Sequence, residues 1–298
     1  MDKAALLGHY SRPDVMESII AFSRGRWLAL HCAERGSDGK PKMVRYEPNG
    51  RTPLKISNTE DFRRVLLSCD TPRTFYASIH RYSLLERAED VRDMDNIIST
   101  MPTWDIDPVD GCWEDVVRAA VSLVGVLEEL GVSRSVIVKW SGEGAHIHIH
   151  GEAFSEDVRR RFHPLDIAYA ATEYVLHRAG EIPLGVKVEN KIDPQRVFTC
   201  PLSLHRELNR VCVCINPSEL YSFSVEWTSP ENYRHYQGWQ EYVDGEADEL
   251  AEKALQAIGP YPHHARRRQR RRHPPLDQHI TRTLQKLSGI AEDDEGAG

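Results

Sequence analysis

Three short blocks in this chain hold residues whose types and spacing could do chemistry. The first is the Asp-x-Asp of Asp105 and Asp107, before Pro108. On a strand, residues two apart share a face, so both carboxylates face one way with Ile106 behind them. Two such carboxylates repel unless solvated or bridged by a cation, and hard ions such as Mg²⁺ or Mn²⁺ take oxygen ligands of this kind. The second block is Ser141-Gly142-Glu143-Gly144-Ala145-His146. Glycines there allow close backbone approach, so amide groups can face phosphate oxygens. The third runs from Asp193 through Arg196 to Pro201-Leu202-Ser203-Leu204-His205. It adds a third candidate carboxylate, and an arginine and a histidine able to neutralise phosphate charge. Together this is an inventory for divalent metal ions and a nucleoside triphosphate.

A rival inventory overlaps it. His146, His148 and His150 alternate and share one strand face, as ligands of a His-bound metallohydrolase would. Taken singly, each block also has a plain reading: a solvated strand end, a hairpin turn, and a turn residue before Pro194.

The elements that must position these residues are legible from periodicity and capping. Helices are expected over residues 14–23, 58–68, 114–130, 155–162, 164–179 and 248–258. Residues 114–130 are the clearest, with Val117, Val121, Val124 and Leu127 in an apolar stripe and Gly131 at the stop. Strands are expected over residues 26–32 and 42–46, joined by a turn at Gly36-Ser37-Asp38-Gly39, and over 74–82, 103–106, 135–140, 145–150, 186–189, 196–199 and 210–215. This alternation without a repeat predicts an α/β or α+β domain with a mixed sheet, residues 1–245. Residues 246–298 are expected to be a helix plus an Arg-rich, partly disordered tail.

Composition bounds the rest. The chain has 298 residues, 40% apolar and 28% charged, which is ordinary for a globular protein. No apolar run reaches the roughly 18 residues of a membrane span, and no secretory leader is visible, so no membrane partner and an intracellular, cytoplasmic location are expected. The 6 cysteines form no CxxC pair, so neither a structural zinc nor disulfides are expected. Cys212 and Cys214 read as small buried hydrophobes on one strand face. The net charge of −7 does not advertise nucleic-acid binding, yet Arg266, Arg267, Arg268, Arg270, Arg271 and Arg272 are packed around Gln269. Such a block can grip a phosphate backbone or serve as a linker or docking tail.

In order and register, the three blocks resemble those of the archaeo-eukaryotic primase superfamily: primase small catalytic subunits, primase-polymerases and the polymerase domains of bacterial end-joining ligases. Asp105 and Asp107 match the family's Asp-x-Asp. Ser141, Gly142, Gly144 and His146 match its Ser-Gly-x-Gly-x-His. Asp193, Arg196, Pro201, Ser203, Leu204 and His205 match its Asp-x-x-Arg running to Pro-x-Ser-Leu-His, and the segment from Arg73 to Ser78 resembles the strand before the first motif. The resemblance covers about residues 70–215. It implies a core related to the RNA-recognition-motif fold packed on an N-terminal α/β unit. It implies Asp105, Asp107 and Asp193 as catalytic ligands of Mg²⁺ or Mn²⁺, with Ser141, Gly142, Gly144, His146, Arg196, Ser203 and His205 around the nucleotide. The reaction implied is DNA-templated attack of a 3′ hydroxyl on a nucleoside triphosphate with release of pyrophosphate, in replication or repair, with a primase large subunit as a further partner. A catalytically weak nucleic-acid-binding paralogue is the alternative. The chain departs from the pattern in lacking a zinc-binding insertion between the first two motifs, and in carrying Glu143 and Thr199 where basic residues are common.

Overall fold

The computed structural model describes residues 2–35, 39–110 and 112–262. Met1–Pro260 forms one compact unit and Tyr261–Gly298 a second, of which only Tyr261 and Pro262 are described. The arginine block Arg266–Arg272 therefore lies outside the described residues, as do Gly36, Ser37 and Asp38 of the expected turn.

In chain order the first half comprises α1 (Lys3–Tyr10), α2 (Pro13–Ser23), β1 (Leu28–Arg35), β2 (Pro41–Val44), α3 (Thr59–Leu66), β3 (Pro72–Ser78), β4 (His80–Tyr82) and β5 (Ile97–Thr100). The second half comprises β6 (Thr103–Pro108), α4 (Trp113–Glu129), β7 (Val136–Trp140), β8 (Ala145–Ile149), α5 (Glu156–Arg161), α6 (Pro164–Arg178), β9 (Val186–Asn190), β10 (Val197–Thr199), β11 (Val213–Ile215) and α7 (Asp248–Ile258). The α+β layout follows the expectation, and every paired strand is antiparallel. The strand expected over 74–82 is divided at Ile79 into β3 and β4, and α1 was not foreseen. Helix α7 lies within the first unit, which runs to Pro260.

A four-stranded sheet, β10-β3-β1-β2, forms the N-terminal layer. Helix α3 starts where Asn58 Oδ1 accepts the Asp61 N–H at 2.9 Å, with acidic residues in its first turn and Arg63 and Arg64 in its last. Its buried Phe62 stacks on Phe75 of β3 at 5.3 Å, and Tyr10 of α1 meets Phe75 edge-on at 5.1 Å. Burying each such side chain contributes about 2–3 kcal/mol.

The same sheet overturns the expectation of no disulfide. Cys32, at the far end of the β1–β3 ladder opposite Pro72, is paired with Cys69 in the turn after α3, with Cα atoms 6.3 Å apart. A separation of 37 residues hid the pairing; the antiparallel return of β3 beside β1 creates it.

The five-stranded sheet, β11-β7-β8-β6-β9, has two unlike faces. Trp104, Ile106, Val138, Trp140, Ile147 and Ile149 line one and are buried; α4 and α6 cover it, with Trp104 Nε1 donating to Thr172 O of α6 at 3.1 Å. The register aligns Asp105 with His146, His146 with Lys139, and Lys139 with Cys214, so the polar residues share the opposite face. That face turns toward β10 and α2. Phe198 meets the His146 and His148 rings edge-on at 4.7 and 5.5 Å, and the buried Lys139 Nζ donates to Thr199 O at 2.8 Å.

Candidate nucleotide and metal site

Strand β6 does what the Asp-x-Asp spacing predicts. Trp104 and Ile106 are wholly buried behind it, and Asp105 and Asp107 stand on the polar face. Asp105 Oδ1 lies 3.2 Å from His146 Nε2, and Asp105 Oδ2 lies 3.3 Å from Lys191 Nζ. Burial pushes the Asp105 carboxyl up, but the hydrogen bond and charge of His146, helped by Lys191, overrule it and hold it at about 2. Asp107 is pushed the other way, first by burial and then by the Asp105 charge.

A further carboxylate on this face is Glu189. Glu189 sits directly across from Asp105 in the β6–β9 register, and its two oxygens lie 2.8 Å from Lys187 Nζ and 2.9 Å from Lys191 Nζ. Asp193 instead clamps its own turn. Its Oδ1 accepts the Gln195 N–H at 2.9 Å, and its Oδ2 takes Nε and Nη2 of Arg196 at 2.9 and 2.8 Å. The Asp193 carbonyl accepts from His80 Nε2 at 2.8 Å. Arg196 is thereby engaged in the turn as well. The alternation Lys187-x-Glu189-x-Lys191 was the signal for Glu189; its meaning depends on which strand lies alongside, which spacing does not reveal.

The glycines of the second block serve close approach. Gly142 has φ +152°, and a Cβ there would lie 2.4 Å from Cδ2 of His205. A Cβ on Gly144 would lie 2.4 Å from Ile106 O and 3.0 Å from Asp107 Oδ1. The loop is thus seated between the end of β6 and the His205 ring. It is closed by Ser141 N–H donating to Gly144 O at 2.9 Å and Trp140 Nε1 donating to Gly142 O at 2.8 Å.

His205 is held from behind. Its Nδ1 accepts the Leu208 N–H at 2.9 Å, so the neutral ring carries its proton on Nε2. Burial, then the Arg206 charge, lowers its pKa. Arg73 Nε donates to His205 O and Arg73 Nη2 to Leu208 O, at 2.8 and 2.6 Å, tying this segment to β3. An open cleft of about 490 Å³, lined in part by Pro108, Trp113, Glu143, Leu208 and Arg210, lies beside the loop.

Ser203 does not join the site. It is fully buried, its Oγ accepts the Phe75 N–H at 2.8 Å, and Leu202 before it adopts a left-handed φ of +60°. The three histidines do not gather either. His148 is buried with Nδ1 on Thr103 Oγ1 at 2.7 Å, and His150 stacks on Tyr242 and accepts the Glu152 N–H. Among the described residues, the one His/Cys/Asp/Glu group whose ligand atoms converge is Cys32, Glu34 and Cys69. Its two sulfurs pair with each other and its carboxylate is taken by Thr71 and Asp70 amides, so it is not an open metal site.

The two antiparallel sheets and their covering helices make an α+β core, and the resemblance read from the motifs holds at the level of the fold. The chain is similar to the polymerase domain of Mycobacterium tuberculosis ligase D, solved in complex with DNA, with a TM-score of 0.54 at 13% identity over 88% of this chain and 91% of that one. The AEP domain of the cyanophage S-2L primase-polymerase is matched at a TM-score of 0.34 and 16% identity over 74% of this chain and 97% of that one. No protein-family model and no curated protein matches the sequence.

Proposed function

We propose that this protein is a DNA-templated nucleotidyltransferase, a primase or primase-polymerase, with Asp105, Asp107 and Glu189 as its metal ligands. The observation that carries this is the placing of three carboxylates on one sheet face beside a glycine loop packed on a histidine. The donor set is all oxygen, as Mg²⁺ and Mn²⁺ require. Such ions, when bound, favour ionisation of an attacking hydroxyl and offset charge on leaving oxygens.

The chain's own residues do the rest. His146 holds Asp105 in position through Nε2. The loop from Ser141 to Gly144 meets the carboxylate edge at Gly144; its amides other than that of Ser141, which closes the turn, take phosphate oxygens in this reading, and the His205 Nε2–H is a neutral donor beside it. Asp193 and Arg196 keep the turn after β9 in shape, and so support the strand that carries Glu189. DNA template and nucleoside triphosphates are the partners this reading requires. The ligase D domain was solved with DNA, which supports the first of these.

The test is template-directed synthesis with Mn²⁺ or Mg²⁺, NTPs or dNTPs, and templates with and without a primer. Asp105→Ala/Asp107→Ala is expected to reduce product by about 10³-fold, the several kcal/mol that bound metals supply. Glu189→Ala is expected to do likewise, and Asp193→Ala to cost far less. No product from folded wild-type protein would favour the non-catalytic paralogue, for which the exposed Glu143 in the loop is the specific observation.

A further inference from the structure

The segment after β9 is fastened at nearly every residue. Asn190 Oδ1 accepts the Ile192 N–H at 2.9 Å and its Nδ2 donates to Glu173 Oε1 at 2.8 Å. Arg196 Nε donates to Lys191 O at 3.0 Å, His80 donates to Asp193 O, and the Tyr82 hydroxyl donates to Pro194 O at 3.3 Å. The backbone of Lys191 is therefore fixed, whereas its four-carbon stem has rotatable bonds along its length. At present its ammonium lies between Glu189 Oε2 and Asp105 Oδ2, at 2.9 and 3.3 Å. Lys187 differs: it pairs with Glu189 alone and is 57% exposed, against 26% for Lys191.

We propose that Lys191 is a displaceable internal cation. It bridges Asp105 and Glu189 while no metal is bound; when a divalent ion takes those carboxylates, its ammonium turns to the triphosphate of the bound nucleotide. This deepens the nucleotidyltransferase reading and rests on it. Three observations lead here. The carboxylates are not among the described groups whose ligand atoms converge, and the Lys191 ammonium lies between two of them. A metal ion and an ammonium cannot share one carboxylate pair without strong like-charge repulsion, so the softer partner must move. The loop from Ser141 to His146 carries no Lys or Arg and does carry Glu143, so the positive charge a triphosphate needs must come from another element. Lys191 reaches the same carboxylate edge that the loop touches through Gly144 and Asp107.

The experiment compares full-length wild type, Lys191→Met, Lys191→Arg and Lys187→Met, each checked for folding by thermal melting. Mn²⁺ affinity is read by electron paramagnetic resonance without nucleotide. Affinity for the unreactive α,β-imido analogues of ATP and dATP is then read by calorimetry at saturating Mn²⁺. Lys191→Met is expected to bind Mn²⁺ about tenfold more tightly and the nucleotide about tenfold more weakly. Lys191→Arg is expected to restore nucleotide affinity, and Lys187→Met to move neither value by more than about threefold. Unchanged nucleotide affinity in Lys191→Met would overturn the proposal, as would the same opposed pair of effects in Lys187→Met. Absence of Mn²⁺ binding by the wild type would instead overturn the nucleotidyltransferase reading beneath it.

Discussion

His80 shows how a single residue outside the chemistry holds the site in shape. It is wholly buried, with Nδ1 on Thr100 Oγ1 at 2.9 Å and Nε2 on the Asp193 carbonyl. The carbonyl can only accept, so Nε2 carries the proton and Nδ1 accepts from the threonine. Burial holds the imidazole down at about 4, against an ordinary 6.5. The unfolded chain therefore binds a proton that the folded chain refuses. Stability is full above pH 6.5 and falls as the pH drops through 4, by about 3 kcal/mol for this group. Urea unfolding at pH 7 and pH 4 is expected to show a loss smaller by about that amount in His80→Gln than in the wild type. Lys139 is a second residue of this kind. Thr199 stands on β10 where the primase pattern often has a basic side chain, and Lys139 brings an ammonium to the Thr199 carbonyl from β7 instead.

At the scale of elements, the Gly142 turn is the tightest constraint in the candidate site. Any Cβ there meets both an unfavourable φ and the His205 ring, and the ring is held by the Leu208 amide behind it. Gly142→Ala is expected to destabilise the fold by about 1–3 kcal/mol. The loss should shrink in a His205→Ala background, as a double-mutant cycle by chemical denaturation would show. The elements themselves were largely legible in the sequence. The residues 248–258 helix, the α4 stripe and the β6–β8 strands fall within a residue or two of expectation, because caps and periodicity are local signals. What was not legible is register. Glu189 and Asp193 are four residues apart, the first within β9 and the second in the turn that follows it. Only the pairing of Glu189 with Asp105 places one of them across from the Asp-x-Asp strand and the other in the turn beyond it. Ser203 fails for the same reason: its hydroxyl is consumed by Phe75, 128 residues away.

For the molecule as a whole, two features set behaviour that no single site controls. The Cys32–Cys69 bond closes a loop across the N-terminal sheet, and a loop of this length is worth about 2–4 kcal/mol through the unfolded chain. Intact mass without reductant is expected to be 2 Da below the fully reduced value, since one disulfide removes two hydrogens. Cys32→Ser/Cys69→Ser should lower the unfolding free energy by about that 2–4 kcal/mol. The arginine block, outside the described residues, is proposed to supply sequence-independent grip on DNA. Deleting residues 263–273 is expected to flatten the dependence of DNA affinity on salt, read as the slope of log affinity against log salt concentration. Among the described residues no helix is long and apolar enough to cross a membrane.

Strand β9 has a further consequence, at the rim of the sheet. It is the outermost strand, so beyond its pairing with β6 it presents a free ladder edge. An open edge invites a strand from another molecule, and lysines along it are a common deterrent. Lys187, on this strand and 57% exposed, is the lysine placed to act as such a deterrent while it balances Glu189. A Lys187→Met variant is left with a barer, β-prone rim, and self-association measured by light scattering is expected to rise in it.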